Sequence, residues 1–114
     1  DFTDAHTAGF ATGELGHWQA KTSDSDPSGA PLLAVLAALR VDDASLEQEL
    51  GKVLNIKRFM TYWAVEVVVG HLDSYSAGAN NFFVYFDPTD GKRAVFIPWG
   101  TDAVFKDCLI LGRG

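Results

Sequence analysis

Apolar positions recur at helical spacing through the middle of the chain and then switch to unbroken aromatic and β-branched runs. Pro31 stands where a first helical turn tolerates a missing N–H, and Leu32, Leu33, Val35, Leu36 and Leu39 follow at offsets of three and four. Asp42-Asp43 interrupts this pattern and provides a cap for a second helix carrying Leu46, Leu50 and Val53. Asn55 is the predicted N-cap of a third and longest helix, which ends near Gly70. Phe59, Tyr62, Trp63, Val65, Val67, Val68 and Val69 leave that helix little polar face, which predicts burial on all sides, with Trp63 in the core.

Beyond Gly70 the texture changes. Residues 71–81 read as a polar loop. Phe82–Phe86 and Lys92–Ile97 flank Asp87-Pro88-Thr89-Asp90-Gly91, which is the signature of a β-hairpin. Asp87, Asp90 and Gly91 are read as turn residues. Pro98-Trp99-Gly100-Thr101-Asp102 closes the second strand and opens another loop, with Trp99 assigned to the core or to fixing that loop. Residues 1–29 are rich in turn residues, apart from one short strand expected at Leu15–Lys21. The predicted class is α+β, three helices followed by a β-hairpin. A loop-rich part spans residues 1–29, read as the end of a preceding lobe, and one folded segment spans 30–114. Asp1 in place of an initiator Met, and an apolar run that stops at Leu111, suggest a piece cut from a longer chain.

Composition narrows the function. The 114 residues suffice for one domain, and a hydrophobic fraction of 47% supports a core. A net charge of −6 argues against a nucleic-acid backbone as partner. No apolar run approaches the roughly 20 residues that cross a bilayer. The single Cys108 cannot form an internal disulfide and is read as a packed residue. His6 and His17 lack metal-ligand spacing, and His71 is read as a helix-end cap or core contact. Nucleophile, zinc-protease and P-loop signatures are absent.

One constellation remains. An antiparallel hairpin brings the segment before its first strand to the segment after its second. Asp73, the Asn80-Asn81 pair and Asp102 are thereby candidates for one site, and their oxygens suit Mg²⁺, Mn²⁺ or Ca²⁺. The competing reading is that these residues cap turns.

Four stretches in order carry a resemblance: Phe59–Glu66, Gly70–Tyr75, Asn81–Tyr85 and Phe96–Asp102. Together they resemble the CotH (spore-coat protein H) kinase-like family, whose pattern runs from an apolar helix through an Asp loop and an Asn-led aromatic strand to a Pro-Trp-x-x-Asp loop. Lys21 through Leu54 resembles the lead-in to that pattern. The resemblance implies the larger lobe of an atypical protein-kinase-like fold. It also implies ATP as phosphoryl donor, Mg²⁺ or Mn²⁺ as cofactor, and a Ser/Thr-bearing protein as substrate at a spore-coat or other extracytoplasmic location. Asp73 then corresponds to the catalytic Asp that orients the acceptor hydroxyl and takes its proton, and Asn81 and Asp102 correspond to metal ligands. Many family members read Pro-Trp-Asp-x-Asp where this chain has Gly100. That departure supports a second expectation, a non-catalytic surface module that keeps the fold without turnover. The family's smaller lobe, with its phosphate-binding Lys, has no counterpart here, and this segment alone is expected to be inactive. A Ca²⁺-stabilised domain is the third reading.

Overall fold

The computed structural model describes residues 28–105 together with Trp18, Lys21, Thr22 and Asp26. The strand expected at Leu15–Lys21 and the packing of Cys108 lie outside the described residues. The chain forms two compact units, the first ending at Val53 and the second beginning at Leu54.

The first unit contains helices α1 (Ala30–Ala38) and α2 (Asp43–Val53), which pack on each other. Pro31 lies in the first turn of α1, as its missing N–H predicts. Asp42 caps α2: its Oδ1 accepts the Ser45 N–H at 3.0 Å, satisfying an amide the helix cannot. Leu36 and Ala38 are buried, whereas α2 contributes no fully buried residue.

The second unit carries α3 (Ile56–Val68), a single turn α4 (Tyr75–Gly78), and strands β1 (Phe82–Asp87) and β2 (Arg93–Pro98). The strands pair antiparallel, with Phe82 opposite Pro98 and Asp87 opposite Arg93. The period of two puts Phe82, Val84, Phe86, Ala94 and Phe96 on one face, which α3 covers. Rings of Phe59, Tyr62, Tyr75, Phe82 and Phe96 fill the space between. Phe96 lies 4.9 Å from Phe59, 5.1 Å from Tyr75 and 5.2 Å from Phe82, centroid to centroid. Ala94 is fully buried because the chain entering α3 lies against it: Leu54 forms a parallel bridge to Ala94, and the Asn55 N–H donates to its carbonyl at 3.1 Å. The architecture is therefore mixed α+β, helices followed by a two-stranded antiparallel hairpin.

Three expectations are corrected. First, α3 is not buried on all sides. Only Tyr62 and Glu66 are buried in it, while Met60 is 56% and Val68 82% exposed. Within the second unit only one face of α3 meets the hairpin and α4. The opposite face carries an open apolar groove lined by Met60, Thr61, Ala64, Val65 and Val68. Second, Trp63 and Trp99 are not core residues, being 39% and 59% exposed. Trp63 sits at the rim of the aromatic cluster beside Phe59 and Tyr75, and Trp99 lies against Phe83 on the hairpin's other face. Third, residues 71–81 are not all loop. Ser74 caps α4 by accepting the Ala77 N–H at 3.3 Å.

The hairpin turn is fastened to the start of α3. Asn55 caps α3 through Arg58 N–H at 3.1 Å, and its amide donates to Asp90 at 2.7 Å. Arg58 pairs with Asp87 at 3.2 Å, and Arg93 pairs with Asp90. Asp87 also accepts from the Thr89 hydroxyl and N–H, and Gly91 takes the left-handed conformation the turn needs. The Thr89 bonds hold the Asp87 carboxyl below the usual carboxylate range; Arg93, then Asn55, do the same for Asp90. A lowered folded-state pKa stabilises the fold above the unfolded value, near about 4, and the contribution is lost as pH falls through the folded value. Urea midpoints measured between about pH 5 and pH 2 should therefore fall less steeply in Asp90→Asn than in the wild type. Equal slopes would show that Asp90 contributes nothing to acid sensitivity.

Candidate functional site

The site assembles at the mouth of the hairpin, opposite the turn. Helix α3 ends in a Schellman arrangement. Gly70 adopts φ +60° and its N–H bonds to Val67 O at 3.2 Å, while His71 N–H bonds to Glu66 O at 3.0 Å. This reversal sends the chain back under the helix and delivers Asp73 to the start of α4. That one turn then carries the chain to Asn80 and Asn81, so Asp73 and the asparagines face each other across it.

Both Asp73 carboxylate oxygens accept amide hydrogens. Asn80 Nδ2 donates to Oδ1 at 2.9 Å, and Asn81 Nδ2 donates to Oδ2 at 2.6 Å and to the Asp73 carbonyl at 2.7 Å. Asn81 sits at φ 52°, a left-handed conformation that Asn accepts more readily than most residues. Its carbonyl takes the Trp99 N–H at 2.9 Å, which extends the hairpin ladder by one rung. On the other side, Leu72 N–H donates to Ala103 O at 3.4 Å and Phe105 N–H to Val69 O at 2.9 Å. The residues next to Asp73 and next to Asp102 are thus joined backbone to backbone. Asp102 itself lies exposed in a 3-10 turn, Thr101–Ala103. The structure therefore gathers Asp73, Asn80 and Asn81 into direct contact and holds the Asp102 turn against the same loop.

Gly100 is bound into this arrangement. It has φ +60°, and a Cβ there would lie 3.2 Å from Asn81 Cγ, whose amide is pinned by Asp73. Gly70 has the same φ but open space around it. Gly70→Ala should cost about 1–2 kcal/mol from backbone strain alone. Gly100→Ala should cost about 1 kcal/mol more, because its Cβ overpacks Asn81. Chemical denaturation of the two variants checks this; equal losses would mean that Asn81 moves aside freely.

Sequence reading missed the buried polar group behind the site. Glu66 and His71 are each 3% exposed, and Ser74 is fully buried. Glu66 Oε2 accepts the Ser76 N–H at 3.1 Å, whereas Oε1 lies 3.8 Å from His71 Nδ1 and makes no hydrogen bond among the described residues. His71 Nε2 is 3.2 Å from Gly100 O. A carbonyl only accepts, so Nε2 carries the hydrogen. His71 thus both caps the helix end and contacts the core, as its position suggested. Burial, reinforced by the Glu66 carboxylate, raises the Tyr62 phenol and pushes Tyr75 up to about 12. The legible signal for Glu66 was a lone acid inside an apolar helix. No candidate residue lines the groove on α3, which belongs to another surface.

Among the described residues no three His, Cys, Asp or Glu side chains converge as a metal cage. The donor set on offer is two carboxylates and a carboxamide. That chemistry fits Mg²⁺ or Mn²⁺, which is commonly held by one or two carboxylates together with waters and substrate phosphates. The Asn81 nitrogen faces Asp73, and its Oδ1 lies on the side of Gly100.

Acid and amide groups thus gather at the open end of a helix-backed hairpin. The family described as CotH kinase protein matches residues 5–110, and the chain belongs to that kinase-like family. No curated protein and no solved structure gives a match to it. No helix among the described residues is long and apolar enough to cross a membrane.

Proposed function

We propose that the intact protein is a metal-dependent kinase that moves the γ-phosphoryl group of ATP to a Ser or Thr hydroxyl of an extracytoplasmic or coat protein. The observation that carries this reading is Asp73, with both carboxylate oxygens fixed by Asn80 and Asn81 in a chain of the CotH kinase family. Each Asp73 oxygen retains a second lone pair, so the carboxylate can still orient the acceptor hydroxyl and take its proton as the hydroxyl oxygen bonds to the γ-phosphorus and the bond to the bridging oxygen breaks, releasing ADP. Asn81 Oδ1 and Asp102 would hold the divalent cation. A cation there would neutralise charge on the transferring phosphoryl group. Asn81 is favoured over Asn80 as ligand because its backbone is also fixed, through Trp99.

Gly100 favours a second reading. A glycine stands at the family's first acidic position, as expected of a surface module that keeps the fold without turnover. Thermal melts of the intact protein separate the two. A stabilisation of about 2–3 kcal/mol at saturating Mn²⁺ and ATP, absent with either alone, supports the kinase when phosphoryl transfer accompanies it and the module when transfer is absent. No shift supports the non-catalytic module. A shift with Ca²⁺ that ATP leaves unchanged would indicate a structural cation site instead.

A further inference from the structure

Glu66 occupies an unusual place for a carboxylate: 3% exposed, on the buried face of α3, with one oxygen lacking any hydrogen bond among the described residues. Such a group is costly to bury and needs a reason to be there. Besides facing the buried Tyr62 phenol, it makes two contacts that lead to opposite sides of the candidate site. Through Oε2 it holds the Ser76 N–H, inside the one-turn helix that connects Asp73 to Asn80. Through His71, whose Nδ1 lies 3.8 Å away, it reaches Gly100 O, and Gly100 lies directly against the Asn81 carboxamide. The usual apolar contact between the two ends of a Schellman motif is here a Glu–His pair. The helix end therefore sets the spacing between the loop that bears Asp73 and the turn that backs Asn81.

We propose that Glu66 and His71 are positioning residues that fix the Asp73–Asn81 contact from behind without touching substrate. Their catalytic meaning rests on the kinase reading above, but the positioning itself does not.

The test uses the intact protein and two readouts. The first is the side-chain amide resonances of Asn80 and Asn81 by NMR, with no ligand present. The second is Mn²⁺ binding in the presence of ATP, followed by electron paramagnetic resonance. Glu66→Leu and His71→Leu remove the polar contacts; Glu66→Gln and His71→Gln keep an acceptor for Ser76 and a donor for Gly100. Both Leu variants should shift the Asn81 amide pair and weaken Mn²⁺ binding 10- to 100-fold, the range for groups that orient a ligand. Both Gln variants should restore resonances and affinity. A purely structural role would lower stability in the Leu variants without moving the Asn81 resonances in the folded protein, and that result overturns the proposal. So does a Gln variant that behaves like its Leu counterpart. Where a Leu variant does not fold, Glu66→Asp withdraws the carboxylate by one methylene and is judged by the same resonances. If the wild type binds no Mn²⁺ with ATP while the Asn81 resonances still respond, the kinase reading fails and the positioning stands.

Discussion

Replacing Asp73 by Ala in the intact protein should lower phosphoryl transfer by about 10²–10⁴-fold, the usual contribution of a positioned general base. The loss should fall on kcat more than on KM, because the carboxylate acts on the acceptor hydroxyl as the transition state forms. The fold should survive. Asp73 is exposed, and its carboxylate bonds only bridge to Asn80 and Asn81, away from the aromatic cluster. Transfer of labelled phosphate from ATP to a serine-rich acceptor protein, beside a circular-dichroism melt, makes the measurement. Wild-type turnover in the folded variant would remove Asp73 from the mechanism and leave its asparagine bonds as loop structure alone.

The largest effect on stability should come from Phe96→Ala. Its ring meets Phe59, Tyr62, Tyr75 and Phe82, so it joins α3, α4 and both strands. Truncating a core Phe costs about 3–5 kcal/mol, and the low end applies because Phe96 is only partly buried. A domain typically has about 5–15 kcal/mol in total, so such a loss removes much of it. Val84 is the contrasting position: it faces the same side directly opposite Phe96 but is smaller, and Val84→Ala should cost less. Urea denaturation of both variants decides the ranking. Near-equal costs would mean that the aromatic cluster adds nothing beyond ordinary strand burial.

The parts of this fold that could be read in the sequence were those with local causes. Pro31, Asp42 and Asn55 mark helix starts through single hydrogen bonds or their absence, and the structure shows each in that role. The hairpin follows from its turn residues and aromatic runs. Hairpin geometry foretold that the Asp102 turn returns to the loop bearing Asp73, whereas the contact of Asp73 with Asn80 and Asn81 is made by α4. What stayed hidden depended on which side of an element meets another. An apolar helix reads alike whether it is enclosed or faces a groove, which is why the exposure of Met60, Val65 and Val68 was not legible. The core reading of Trp63 failed for the same reason, and that of Trp99 because the hairpin's other face is open. Helix α4 was hidden because one turn has too few residues for periodicity and shows only its Ser74 cap. Glu66 ran against expectation, since acids seldom sit fully buried.

The hairpin is fastened to the start of α3 at its turn, by Asn55, Arg58, Asp87, Asp90 and Arg93, whereas Asn81 and Trp99 close the ladder at the opposite end. Asp73 and Asn81 therefore meet at the end of the hairpin farthest from that fastening. The candidate site is held instead by its own loop bonds, from Trp99 N–H to Asn81 O and from Leu72 N–H to Ala103 O. Changes at the far turn should therefore act on stability and leave the Asp73–Asn81 contact in place.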